Sequence, residues 1–455
     1  MPINALINAS FAPKVLEGLR LIKTNNLPNN RFLSTTSPFN APLSSPGEII
    51  KNHPTRGLTS VEVKEFIAVS TIVHCIDGWT YLNNSINAFL NGDSPIAIHL
   101  AYYAELRAAI SFLASEGILI ANTNQICIDS HDNLYIPGVI PGIQALAAKD
   151  KGTHNATWKI MEAWINNNTR TSNALAYFSY GGKTFKELMP SIPYAPTTPA
   201  TQLTIIKDWL KVWCFDIIKY TKDREARNMS SYNPNINRNS APMALTEKLI
   251  NINNFWRTLE PSIEPFSKID LYLLSSYLTR IYNSYTSSLS GNLLDKSSYI
   301  DLFFQNSGLS NDRILTNVFV NNLSNSLINH SYDNNADPIT GDSKPLSIIS
   351  RAILLLRYST GACAYLLKLS NISKQELNFY IDKIGKDWGV WDISQPEDFK
   401  NLWDDICILL EYFDEYLDLN TPSSLYTVRN ELEEYTKYSY LYTQFSRAGL
   451  WGLNI

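Results

Sequence analysis

The chain has 455 residues, 45% of them hydrophobic and 12% aromatic, with 38 Lys and Arg against 42 Asp and Glu. With 25 Tyr, 18 Phe and 10 Trp beside only 18% charged residues, it has the material for large packed cores and is excluded from the disordered and low-complexity classes. A net charge of −4 excludes a strongly basic nucleic-acid protein or an acidic solvating tail, so any such role must rest on a local patch.

The first residues, MPINALINASFAPKVLEGLR, lack a basic start and a continuous apolar run, so they do not read as a signal peptide. Pro28, Pro38, Pro42, Pro46 and Pro54 then fall among Asn, Ser and Thr, and residues 1–58 are expected to form an extended arm. Thr59 and Ser60 with Glu62 predict a helix start, and the pattern runs to Leu90 before Asn91-Gly92. Ser94-Pro95 starts the next helix, HLAYYAELRAAISFLASEG, which Gly117 ends. The short apolar runs 118–120, 126–128 and 134–136, separated by polar turns, predict a small antiparallel β insertion near 118–137. Helical pattern resumes at Thr153. Pro190, Pro193, Pro196 and Pro199 predict a break near 190–202.

Leu203, Ile206, Leu210, Trp213, Ile217 and Tyr220 trace one face of a single long helix. Further helices are expected near 242–258, 268–287, 296–305, 311–328, 346–369, 373–386 and 397–419. No repeat of solenoid length is present. The fold class predicted is mainly α, with helical bundle domains at 59–258 and 259–455.

Cys75, Cys127, Cys214, Cys363 and Cys407 are scattered without a CxxC pair, which fits a cytoplasmic protein with buried thiols. The most apolar stretch, 346–369, is interrupted by Arg351, Arg357 and Lys368 and reads as a buried helix, so no membrane association is expected. Residues 203–257 carry nine Lys and Arg against five Asp and Glu, whereas 395–434 carry eleven acids against Lys400 and Arg429. Each stretch fits either a solvated face or a working surface, basic for nucleic acid and acidic for a partner.

Gly181-Gly182-Lys183-Thr184 ends like a phosphate loop, but Tyr177 stands where the first glycine belongs. The six histidines form no helical pair at metal-ligand spacing, and no cofactor is expected. Two constellations remain. His99, Tyr103 and Arg107 stack at four-residue spacing on one helix, as a structural polar ladder or as a hold for an anionic group. Arg224 and Arg227 stand near a helix end beside Asp223 and Glu225; they either cap carbonyls and pair with acids or clamp phosphate.

HLAYYAELRAAISFLASEGI resembles the first long helix of HEPN-like helical domains, most closely their bacterial YaaC-like branch. REARNMSSYNP resembles the later HEPN element, in which an arginine and a polar residue precede a histidine by four to six positions. The resemblance covers about residues 60–235. It implies a phage-defence or toxin component that binds RNA or nucleotide and cleaves RNA without metal, and that self-associates or docks a partner protein. The alternative role is a non-catalytic helical scaffold or adaptor. The matching residues are Arg227 and Asn228, while Ser231, Tyr232 and Asn233 stand where the histidine falls. The catalytic candidates are therefore Arg227, Asn228, Tyr232 and, brought in from elsewhere, His154; the binding candidates are His99, Tyr103, Arg107 and Arg224.

Overall fold

The computed structural model describes residues 2–40, 45–213, 215–232, 243–288, 294–332, 344–431 and 440–454. The fold is mainly α with two small antiparallel sheets, as the sequence predicts.

The expected extended arm is helical instead. Helices α1 (Pro2–Ala9), α2 (Pro13–Asn25), α3 (Pro46–Lys51) and α4 (His53–Arg56) occupy it, with single 3-10 turns at Leu27–Asn29 and Pro38–Asn40. Prolines read as breakers are helix starters: Pro46 and Pro54 sit in first turns, where no backbone N–H is required, and Ser45 with Glu48 closes a capping box ahead of α3. Pro42 lies outside the described residues. Val15, Leu19 and Ile22 bury the inner face of α2.

Helix α5 (Ser60–Leu90) starts at the predicted cap, with Thr59 and Glu62 bonded to each other's backbone N–H. Helix α6 (Ser94–Ser115) is capped by Asp93, one residue earlier than expected, and Gly117 follows it at φ +85°. Ala97, Ala101, Ala104, Ala108, Ala109 and Ala114 are fully buried, so α6 is a slim central rod that neighbouring helices approach closely.

The predicted insertion forms as β1 (Ile118–Ala121), β2 (Asn124–Ile128) and β3 (Leu134–Tyr135), in the order β1-β2-β3. Ile118 pairs with Cys127 and Ala121 with Asn124. Helices α7 (Thr153–Asn166) and α8 (Asn168–Thr171) follow. A second hairpin pairs β4 (Ser179–Tyr180) with β5 (Lys183–Thr184). Gly181 and Gly182 form its two-residue turn at φ +59° and +79°, a backbone that side chains resist. Thr184 then caps α9 (Phe185–Leu188) with Glu187, and Lys183 donates to the Ser307 carbonyl at 2.7 Å. The GGKT stretch is thus a hairpin and a helix cap.

The single long helix expected from Leu203 is two. Helix α10 (Pro199–Trp213) begins inside the Pro-rich stretch, and α11 (Ile217–Tyr232) restarts where the Asp216 carboxylate accepts from the Ile218 N–H at 3.2 Å. The buried Phe215 turns inward at the break to stack on Trp164. One apolar stripe therefore runs across two helices. Cys214 lies outside the described residues.

Then come α12 (Leu245–Thr258), α13 (Ser267–Ser288) and α14 (Lys296–Ser307). The helix expected at 311–328 divides into α15 (Arg313–Val320) and α16 (Ser326–Tyr332) around Asn322, which adopts φ +51°. The rest comprises α17 (Lys344–Ser370), α18 (Lys374–Asp387), α19 (Leu402–Leu419), α20 (Leu425–Glu431) and α21 (Ser446–Gly452).

Residues on both sides of the boundary expected near 258 share one core, for α17 packs along α6 and α5. A Cβ on Gly78 of α5 would lie 2.6 Å from Leu356 Cδ2 of α17. Helix α21 is also buried, its Gly449 against the Trp79 ring of α5. Helices α6 and α17 are long and apolar enough to cross a membrane, and 72% of each such window is buried within the fold.

Two arginines of α17 sit inside this core. Arg351 donates Nε and Nη2 to Asp223 of α11 at 2.7 and 2.6 Å, and Glu105 of α6 lies 3.8 Å away. Arg357 makes the same two-pronged contact with Asp270 of α13 at 2.9 and 2.5 Å. Breaking a buried pair from one side strands a charge without water. Asp223→Ala or Arg351→Ala should each lower the unfolding free energy by about 3–5 kcal/mol. The double variant should cost clearly less than the sum, as read by urea denaturation of all three.

Candidate functional site

The Asp223–Arg351 bridge fixes the rotation of α11 against α6. Four residues on from Asp223, Arg227 comes round to lie over the Tyr103 ring of α6, 5.1 Å from its centroid. Its Nη2 donates to the Tyr103 hydroxyl at 2.6 Å and its Nη1 to Asn228 Oδ1 at 3.0 Å. The Nε of Arg227 is buried with no hydrogen-bond partner. Among the described residues neither Arg227 nor Arg224 is ion-paired: Asp223 is committed to Arg351, and Glu225 is exposed.

Two histidines flank this guanidinium. The His99 ring lies 5.0 Å from that of Tyr103 and the His154 ring 5.9 Å from it. His99 Nδ1 is 2.8 Å from Ser231 Oγ, and Ser231 in turn donates to the Arg227 carbonyl at 2.9 Å. With the hydroxyl proton spent on that carbonyl, Ser231 accepts from His99 Nδ1–H, leaving a lone pair on Nε2. His154 is in the opposite state. The Trp158 indole donates to the Tyr102 hydroxyl at 3.2 Å, so Tyr102 donates its own proton to His154 Nδ1 at 2.9 Å. His154 then carries its proton on Nε2. Trp158 is stacked at 4.4 Å on Tyr220 of α11, which holds this chain of donors rigid.

Burial first, then the Arg227 charge, lowers the pKa of His99. Burial followed by Arg227 and Arg224 does the same to His154. Tyr102 is pushed upward, mainly by burial, and stays a hydroxyl donor.

One turn along α6, Arg107 donates to His74 Nδ1 at 2.8 Å and lies 3.7 Å from Asp77, both on α5. Arg107 also stands 5.9 Å from the Tyr81 ring, and Tyr81 stacks at 5.4 Å on Tyr103. Burial is the main cause of a lowered His74 pKa, outweighing the pull of Asp77. The His99, Tyr103 and Arg107 ladder therefore spans from the Arg227 centre to a second cationic group. A cavity of about 350 Å³ opens between them, with His74, Tyr103, Arg107 and His154 among its lining residues.

The structure brings together Arg227, Asn228, His99, Tyr103 and His154, with Arg224 close enough to act on His154 and Arg107 a turn away. It does not bring in Tyr232, which is 78% exposed at the end of α11 with no contact to the others, and Asn233 lies outside the described residues. Sequence reasoning named Ser231 only as a departure from the HEPN-like pattern and passed over His74, Asp77 and Tyr81. The i, i+3 pair His74 and Asp77 on one helix was the available signal. The basic stretch is no continuous groove: Lys207, Lys219 and Lys248 donate to the carbonyls of Asn166, Ser331 and Phe89 at helix ends, and Arg257 pairs with Asp414. Among the described residues no group of three His, Cys, Asp or Glu side chains is placed to hold a metal ion. No known protein family, curated protein or solved structure matches the chain.

His74, His99 and His154 all favour the neutral form in the folded chain. Their contribution to stability is full above about pH 6.5, where unfolded histidine is neutral too, and is lost as pH falls below it. Glu65, Glu116 and Asp270, pushed upward mainly by burial, act with the opposite sign. The readout is therefore a difference. Relative to a His74→Gln, His154→Gln chain, the unaltered chain should lose melting temperature between pH 7 and pH 5.

Proposed function

We propose that the Arg227 centre binds the phosphate of RNA or of a nucleotide, and that the chain serves as a HEPN-like phage-defence or toxin component. The observation that carries this reading is a guanidinium fixed between Tyr103 and Asn228 without a carboxylate, flanked by two neutral imidazoles. A structural arginine spends its charge on an acid; this one keeps it for an anion from outside. His99 supplies a lone pair at Nε2 and His154 an N–H, the two functions that metal-free cleavage of a phosphodiester requires on opposite sides of phosphorus. Burial is the main cause that holds both rings neutral and the arginine charge the lesser one; a bound phosphate offsets Arg224 and Arg227, so His154 gains affinity for a proton as the substrate arrives. The HEPN-like resemblance places arginine and histidine across a dimer, whereas here one chain supplies both.

Arg227→Ala should weaken binding of single-stranded RNA or nucleotide about tenfold or more, since charge-assisted hydrogen bonds contribute about 1.5–3 kcal/mol. Its melting temperature should be nearly unchanged, because Arg227 and both its partners are only half-buried. With only Arg224 and Arg227 engaged, the salt slope for a single strand should be shallow, about −1.4. His99→Gln and His154→Gln should retain binding and abolish cleavage of labelled RNA. Binding without cleavage in the unaltered chain would leave a binding module; binding untouched by Arg227→Ala would remove the site from any mechanism. Self-association or a docked partner protein belongs to the same proposal. A monomer by light scattering at micromolar concentration, with no protein co-purifying from the native host, would remove that part alone.

A further inference from the structure

The cavity beside the Arg227 centre has two chemically distinct sets of lining residues. Its walls are apolar, made by Phe66, Leu106, Ile110, Leu119 and Ile120, and Phe66 is held by a parallel stack on Phe39 at 4.2 Å. Its lining also carries polar groups, His74, Arg107, Asn122, Thr153 and His154. Tyr103 and His154 belong to both the cavity lining and the Arg227 centre, so the two spaces adjoin.

At about 350 Å³ the cavity stands at the small end of the range for single small ligands, about 300–1,000 Å³. That is room for one flat ring system with its sugar at the mouth, not for a stacked strand. Among these polar groups, Arg107 is bonded to His74 and lies near Asp77, so it offers directed N–H groups more than an unpaired charge.

We propose that this cavity receives one nucleobase, the base of the nucleotide whose phosphate lies at Arg227. The ring enters between the apolar walls, and its hydrogen-bonding edge meets His74, Arg107 and Asn122. The inference rests on the phosphate reading for its anchor and adds the base as a second, separable determinant. It makes the ligand a mononucleotide or one flipped-out residue of a single strand, and it excludes a continuous duplex.

The test is calorimetric titration of the full chain with adenosine and uridine 5′-monophosphates, ribose 5-phosphate and free adenosine. The cavity variant is Ala121→Phe, which places a ring into the lining from the end of β1, with Ile120→Trp, a lining residue of the same strand, as the alternative should the first fail to fold. At least one nucleoside monophosphate should bind tenfold or more tighter than ribose 5-phosphate. Either cavity variant should erase that advantage while leaving ribose 5-phosphate affinity unchanged. Equal affinity of the monophosphates and ribose 5-phosphate, or an advantage that survives both cavity variants, overturns the inference. If that happens while Arg227→Ala still abolishes ribose 5-phosphate binding, the phosphate reading stands alone. If free adenosine binds and is blocked by the cavity variants while Arg227→Ala changes nothing, the cavity stands and the phosphate reading falls.

Discussion

Arg351 is the interaction on which the rest of the arrangement depends. It enters the core from α17, grips both carboxylate oxygens of Asp223 on α11, faces Glu105 on α6, and donates a further 3.3 Å bond to the Ser331 carbonyl at the end of α16. An apolar contact would let these helices slide or rotate at little cost. A planar guanidinium clamped by a carboxylate does not, because any slip leaves charge buried without a partner. Glu105 stands two residues from Tyr103, and Asp223 four from Arg227. The bridge therefore sets which face of α11 meets which face of α6, and so places a cation over Tyr103.

That placement has an electrostatic consequence. Because Asp223 is taken by Arg351 and Glu225 is exposed, no carboxylate among the described residues is paired with Arg224 or Arg227. What lies beside them is a pair of imidazoles already pushed toward the neutral form by burial, and like charge further repels the proton that would make them cations. Neutral histidine is thus the joint product of burial and of how the carboxylates are distributed among the arginines. Hydrogen bonds from elements remote in sequence refine it: Ser231 orients His99, and the Trp158–Tyr102 relay orients His154.

Much of this was legible in the sequence, and the reasons differ by residue. Thr59 with Glu62, Gly117, and the alternation across 118–136 announce their elements because capping and pleating are local chemistry. His99, Tyr103 and Arg107 declared a common face through spacing alone. The N-terminal prolines misled, since a proline reads the same in a loop as in the first turn of a helix. The break after Trp213 was hidden because Phe215 continues the apolar pattern while the backbone turns. His74 and Asp77 showed only their i, i+3 spacing, and their partner Arg107, like the role of Ser231, was invisible for another reason. Nothing local tells α5 that Arg107 will arrive from the next helix, or α11 that His99 will.

The distribution of the lysines completes the account of why function concentrates at one point. A run of basic residues between 203 and 257 suggests a broad nucleic-acid surface, yet Lys207, Lys219 and Lys248 are engaged at the carbonyl ends of α7, α16 and α5. Each offsets the partial negative charge of a helix C-terminus and is held there. Cations tied to the fold in this way add little to long-range attraction of a polyanion. Arg227 with Arg224 stays free of carboxylates among the described residues, beside a cavity of single-ligand size. Affinity must then come from close fit at one phosphate and its immediate neighbours, and discrimination from the groups that line the cavity.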